Sequence, residues 1–145
     1  MFLCPDSIAD LNRYPYHIRD VHISDPFILA DPVTRRYYTY VQFANPERFP
    51  DIPHGKGYFY VLESEDLIHW SAPQVCFEKG DFWADLDYWA PECHIWQGRY
   101  YLISSFRAEG MFRRCQCLVA DSPLGPFEGV SDNLGNGIDG SIFVD

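Results

Sequence analysis

At 145 residues the chain is long enough for one domain with a real core. A formal net charge of −10 works against nucleic-acid partners, whose phosphates it would repel, and no apolar run approaches a membrane span. Aromatic residues make up 17% of the chain, punctuated by 11 Pro and 10 Gly, which predicts many short strands and turns rather than helices. An acidic surface rich in aromatics suits neutral sugars, because rings stack on sugar faces and carboxylates accept hydroxyl hydrogen bonds. The N-terminus lacks a basic region followed by an apolar core, so the expected location is the cytoplasm.

Taken in chain order, Asp20 and His22 lead into the first strand, as a pocket rim or a solvated approach loop. That strand opens at Ser24-Asp25-Pro26-Phe27-Ile28 and turns at Asp31-Pro32. A Tyr-pair strand follows over 36–41, a third strand over 57–62, and a short closing segment over 66–70 that ends in Trp70. The same plan then repeats. Asp85 and Asp87 precede an opening at Trp89-Ala90-Pro91-Glu92, and Gln97-Gly98 makes the turn. A second Tyr pair lies in 99–104, a third strand in 115–120, and a close at 122–127 ends in Phe127. Finally, residues 138–145 lie over residues 24–31 without a gap, matching Asp139 to Asp25.

Four strands per unit with repeated landmarks predict an all-β chain, a β-propeller of four-stranded antiparallel blades. Blade one covers about 20–75, blade two about 86–130, and blade three begins at 136–145. That is about two and a half blades. Blades bury their faces against neighbours, so an apolar face and an unpaired last strand are expected. The chain is accordingly expected to belong with further blades of a longer protein or to self-associate.

Innermost strands converge on a propeller's axis, so Asp25 and Asp139 are the leading candidates for catalysis. Two carboxylates flanking a sugar are the minimum for glycoside hydrolysis, one activating water and another protonating the leaving oxygen. Glu92 begins the second inner strand, either to bind substrate hydroxyls and perturb its neighbours or to make a structural hydrogen bond. Trp89 is a candidate wall of a sugar pocket or a packing residue between blades. His94 would share Glu92's face, as a substrate contact or a structural histidine. Asp85 and Asp87 are expected to add to the pocket's negative field. Phe43, Trp83 and Phe106 are stacking platforms or blade core, and Trp70 and Phe127 are packing residues. Five cysteines (Cys4, Cys76, Cys93, Cys115 and Cys117) cannot all pair within the chain; with His94 they form either a metal site of unfamiliar spacing or buried free thiols.

The ordered set of motifs resembles family 43 of the glycoside hydrolases, five-bladed propeller enzymes acting on arabinose- and xylose-containing glycans. The resemblance is carried by Ser24-Asp25-Pro26-Phe27-Ile28, Asp66-Leu67-Ile68-His69-Trp70, Trp89-Ala90-Pro91-Glu92, Ser122-Pro123-Leu124-Gly125-Pro126-Phe127 and Ile138-Asp139-Gly140-Ser141-Ile142-Phe143. It implies an inverting mechanism with Asp25 as general base and Asp139 as the residue that tunes and orients the acid. The general acid is a Glu in a later blade, so the isolated chain is expected to show no turnover. The partner implied is a carbohydrate substrate, with neither nucleic acid nor membrane. No organic cofactor is implied, although a calcium ion can sit in the full-length channel of relatives. The rival expectation is a catalytically incomplete propeller piece that binds sugar or self-associates.

Overall fold

The computed structural model describes residues 10–22, 24–25 and 27–143. Cys4, Pro26 and Asp145 therefore lie outside the described residues. Apart from one 3-10 turn at Ile18–Asp20, the regular structure is all strand. The strands are β1 (Tyr16–His17), β2 (Ile28–Asp31), β3 (Arg36–Val41), β4 (Tyr58–Ser64), β5 (His69–Trp70), β6 (Gln74–Glu78), β7 (Asp87–Trp96), β8 (Arg99–Arg107), β9 (Arg114–Ala120) and β10 (Glu128–Gly129). They form two antiparallel sheets. The first runs β1-β5-β4-β3-β2 with β6 also on β4, and the second runs β10-β9-β8-β7. Each is a meander from an inner strand outwards, the plan of a propeller blade.

Local chemistry explains the hairpins. Asp31 closes the first: its carboxylate accepts from the Val33 amide and the Thr34 hydroxyl, each at 2.8 Å, and Arg35 takes the left-handed turn at φ 59°. Gln97 and Gly98, at φ 49° and 77°, turn β7 directly into β8, the primed two-residue geometry that suits twisted strands. At the close of the first sheet, Asp66 accepts from the Ile68 and His69 amides and the His69 ring, bending the chain into β5.

Two differences from the sequence reading concern outer strands. The first sheet's outer edge is built in two pieces, β5 and β6, and β6 was not anticipated. In the second sheet, Ser122–Phe127 is not the fourth strand, which falls at Glu128–Gly129 against Val119 and Leu118. Residues 122–127 instead pack back on the first sheet. The Tyr40 hydroxyl donates to the Pro123 carbonyl at 2.9 Å, and the Phe127 amide donates to the Cys76 carbonyl at 2.8 Å. Apolar demand decides this, because Phe127 is 3% exposed only by reaching the shared core.

That core lies between the sheets, where Tyr40, Phe59 and Phe77 of one meet Tyr88, Leu102 and Phe106 of the other. Rings contact at 5–6 Å, edge-on or tilted, including Phe59–Tyr88 at 5.8 Å and Phe59–Phe106 at 5.9 Å. Trp83 and Phe106 belong to this packing, and Phe106 is fully buried, so these two candidate platforms are core. Trp70 anchors a second cluster on the first sheet's far face, covered by Ile18, Val21 and Phe49. Cys76, Cys93 and Cys115 are buried free thiols; burial holds Cys76 well above its ordinary pKa and pushes Cys93 up to about 12.

Candidate active site

The three inner-strand openings share one backbone feature. Asp25, Ala90 and Asp139 have φ of 51°, 48° and 55°, left-handed conformations in non-glycine residues. Such conformations are uncommon and costly, and they persist where the surroundings fix them. In β7 this residue makes a bulge, where the register to β8 shifts between Trp89 and Glu92. Asp25 and Asp139 are both exposed. Beside Asp25, the Gln42 amide donates to the Ser24 hydroxyl at 3.1 Å. The Asp139 amide donates to Ser105 Oγ of β8 at 2.9 Å. Residues 139–143 form no strand; they lie along the second sheet, and Gly140 fits closely against Ile103 and Cys115.

Between these two openings stand Glu92 and His94, on the same face of β7 as alternation requires. Glu92 Oε1 accepts from His94 Nε2 and from Ser141 Oγ, both at 2.5 Å, and the Ile142 amide also bonds the carboxylate. Partial burial works to raise Glu92's pKa. The bonds from Ser141, His94 and Ile142 outweigh it, so Glu92 is held below its ordinary value. The His94 ring in turn packs against Phe27, with centroids 5.3 Å apart. A line of contacts thus runs from Phe27, two residues after Asp25, through His94 and Glu92 to Ser141, two residues after Asp139. The sequence overlay already paired Phe27 with Ser141; their contact through β7 was not legible in it.

Trp89 points into a groove of about 480 Å³ between the two sheets, with Gln42, Phe43, Lys56, Tyr58 and Asp87 among its lining residues. Trp89 is 37% and Phe43 47% exposed, so both offer ring surface. His54 pins the bordering loop, its ring nitrogens 3.1 and 2.7 Å from the Ala44 and Phe49 carbonyls. One face of Trp89 is covered by the Arg113 guanidinium, 3.9 Å from the ring centroid. Arg113 was not anticipated. It is itself held by Asp87 at 2.9 Å, which Arg107 contacts at 2.5 Å. Asp87 is therefore buried and doubly paired, and adds no free negative charge to the groove, contrary to expectation. Asp85 is exposed and accepts from the Glu109 amide. His22 sits edge-on to Phe43 at 5.5 Å, and Asp20 is exposed. Among the described residues, no three His, Cys, Asp or Glu side chains stand together as metal ligands, so neither the Cys–His site nor a calcium ion finds a ligand set in them.

Comparison with known proteins accounts for this arrangement. A search of curated proteins found no match. Among solved structures, the chain is similar to an endo-arabinase from Bacteroides thetaiotaomicron VPI-5482, with 32% identity and a TM-score of 0.73 over 91% of this chain and 44% of that one. It is similar to a thermostable family-43 glycoside hydrolase at 27% identity and a TM-score of 0.66, covering 85% of this chain and 38% of that one. A β-xylosidase/α-arabinofuranosidase from a compost microbial metagenome, solved with xylotriose, shares the fold at 21% identity and a TM-score of 0.69, over 95% and 44% of the respective chains. The chain spans less than half the length of each. Residues 18–145 match the sequence pattern of glycosyl hydrolases family 43, so a partial β-propeller with these inner-strand openings is what the family predicts, and the chain belongs to that family.

Proposed function

We propose that this chain is part of a glycoside hydrolase that cleaves arabinofuranosyl or xylosyl linkages with inversion. Asp25 acts as general base, taking the proton from water as it attacks the anomeric carbon. Asp139 orients and tunes a general acid, a Glu supplied from outside the 145 residues, which protonates the leaving oxygen. Trp89 and Phe43 offer ring faces to the sugar. The observation that carries this reading is the pair of aspartates in matching left-handed conformations at equivalent strand openings, with the line of contacts through β7 between the residues that follow them. Asp25 is exposed, as a base that meets substrate water must be.

The complete polypeptide carrying this sequence should hydrolyse aryl arabinofuranosides or xylosides and release the inverted anomer, read by NMR before mutarotation. Asp25→Ala should lower turnover by about 10²–10⁴-fold. Near-normal rates in that variant would remove Asp25 from the chemistry. A second reading, a piece that binds sugar or self-associates without turnover, draws on the exposed Val130, Leu134, Ile138 and Phe143 along the last described segment. Measurable hydrolysis by the 145 residues alone would rule that reading out.

A further inference from the structure

Asp139 sits in a left-handed conformation in a stretch that no ladder of strand hydrogen bonds supports, so something else must hold it. Its own amide is bonded to Ser105 Oγ, and the next two points of attachment are the Ser141 hydroxyl and the Ile142 amide. Both of those end on the Glu92 carboxylate. Glu92 is in turn fixed by His94, whose ring is backed by Phe27.

We infer that Glu92 is a positioning residue for Asp139, its carboxylate gripping Ser141 and Ile142 so that the Asp139 backbone keeps its left-handed turn. The mechanical claim stands on this geometry alone; its catalytic consequence rests on the reading of Asp139 proposed above. A substrate ligand at Glu92 is the competing role, and the two differ in outcome. A ligand to sugar hydroxyls sets KM, whereas a residue that aims Asp139 sets kcat.

Amide hydrogen exchange in the 145-residue chain tests the grip without any activity. The telling amide is that of Asp139, which does not touch Glu92. In Glu92→Ala it should exchange about tenfold faster, the scale of one lost hydrogen bond to a charged group, while Leu102 and Leu118 in the core stay unchanged. Glu92→Gln keeps an acceptor oxygen and should retain most of the protection. Adding Ser141→Ala to Glu92→Ala should cost little more, since both cut the same bond. Unchanged protection at Asp139 in Glu92→Ala overturns the inference. If that variant does not fold, Ser141→Ala decides alike: faster exchange at Asp139 supports the grip and an unaltered rate refutes it.

In the complete polypeptide, Glu92→Ala should lower kcat by up to about 100-fold with KM almost constant. It should also shift the alkaline limb of the pH–rate profile to lower pH, because a displaced Asp139 no longer raises the acid's pKa by like-charge repulsion. A raised KM with kcat intact would assign Glu92 to substrate binding instead. Inactive wild-type polypeptide would count against the hydrolase reading and leave the exchange result standing.

Discussion

The αL residue at each inner opening is Asp, Ala and Asp in turn, and that alternation makes Asp25→Ala an informative substitution. Asp tolerates left-handed backbone better than most residues, so an Asp there could be explained by conformation alone. Ala90 adopts the same conformation at φ 48°, close to the 51° of Asp25, so this chain already accommodates alanine in that geometry. The Asp25→Ala protein should therefore fold, with a melting temperature near that of the wild type by calorimetry, and lose turnover for want of the carboxylate. Asp66 is a different kind of aspartate. Burial tends to raise its pKa, but bonds from the His69 ring and from the His69 and Ile68 amides prevail and hold it below the ordinary value. A depressed native pKa stabilises the fold above the unfolded value of about 3.9, and that stability is lost as pH falls through the native value. Asp66→Ala should cost about 1–2 kcal/mol at pH 7, as capping carboxylates do, with the gap to wild type narrowing in urea melts run below pH 4.

Among the elements, the inner and middle strands were legible in the sequence because aromatic and β-branched runs such as residues 36–41 and 58–64 have few other uses. The outer strands were not. β6 carries Gln74-Val75-Cys76-Phe77-Glu78, too short and mixed to announce itself, and β1 and β10 are two residues each. Their pairing is decided by the edge they meet, not by their own composition. The turn at 122–127 shows the same dependence. Gly125 has φ 80°, and a Cβ there would stand 2.4 Å from the Cys76 carbonyl oxygen, a backbone atom with nowhere to move. Gly125→Ala should destabilise by about 2 kcal/mol or more. At Gly140 the added methyl would meet the tip of Ile103 at 2.8 Å, a flexible end that can turn aside. Gly140→Ala should cost about 1 kcal/mol or less, so paired urea denaturation curves should separate the two variants clearly.

At the scale of the whole molecule, the two sheets share one core and are tied by polar bonds as well. Tyr100 of the second sheet donates to the buried Asp31 carboxylate of the first at 2.8 Å, and Tyr40 reaches across to Pro123. Neither sheet can open without exposing Phe59, Phe77 and Phe106. Unfolding followed by tryptophan fluorescence and by far-ultraviolet circular dichroism should therefore give coincident transitions. Phe59→Ala, in the middle of that cluster, should cost about 3–5 kcal/mol and shift both probes together. Separate transitions would mean that the sheets fold independently.

The amino-acid sequence by itself determined the repeated order of strands, the family, and the match of Asp25 to Asp139, because strand alternation and turn residues act over a few positions and repeat visibly. The contacts that convert those positions into a site were decided by tertiary structure. Ser141 and Ile142 on Glu92, Arg113 over Trp89, Asp87 neutralised between two arginines, and Phe127 withdrawn into the first sheet's core all join residues distant in the chain or on different elements. Such pairings follow from how two sheets and a following segment close against one another, which no local pattern of residues encodes.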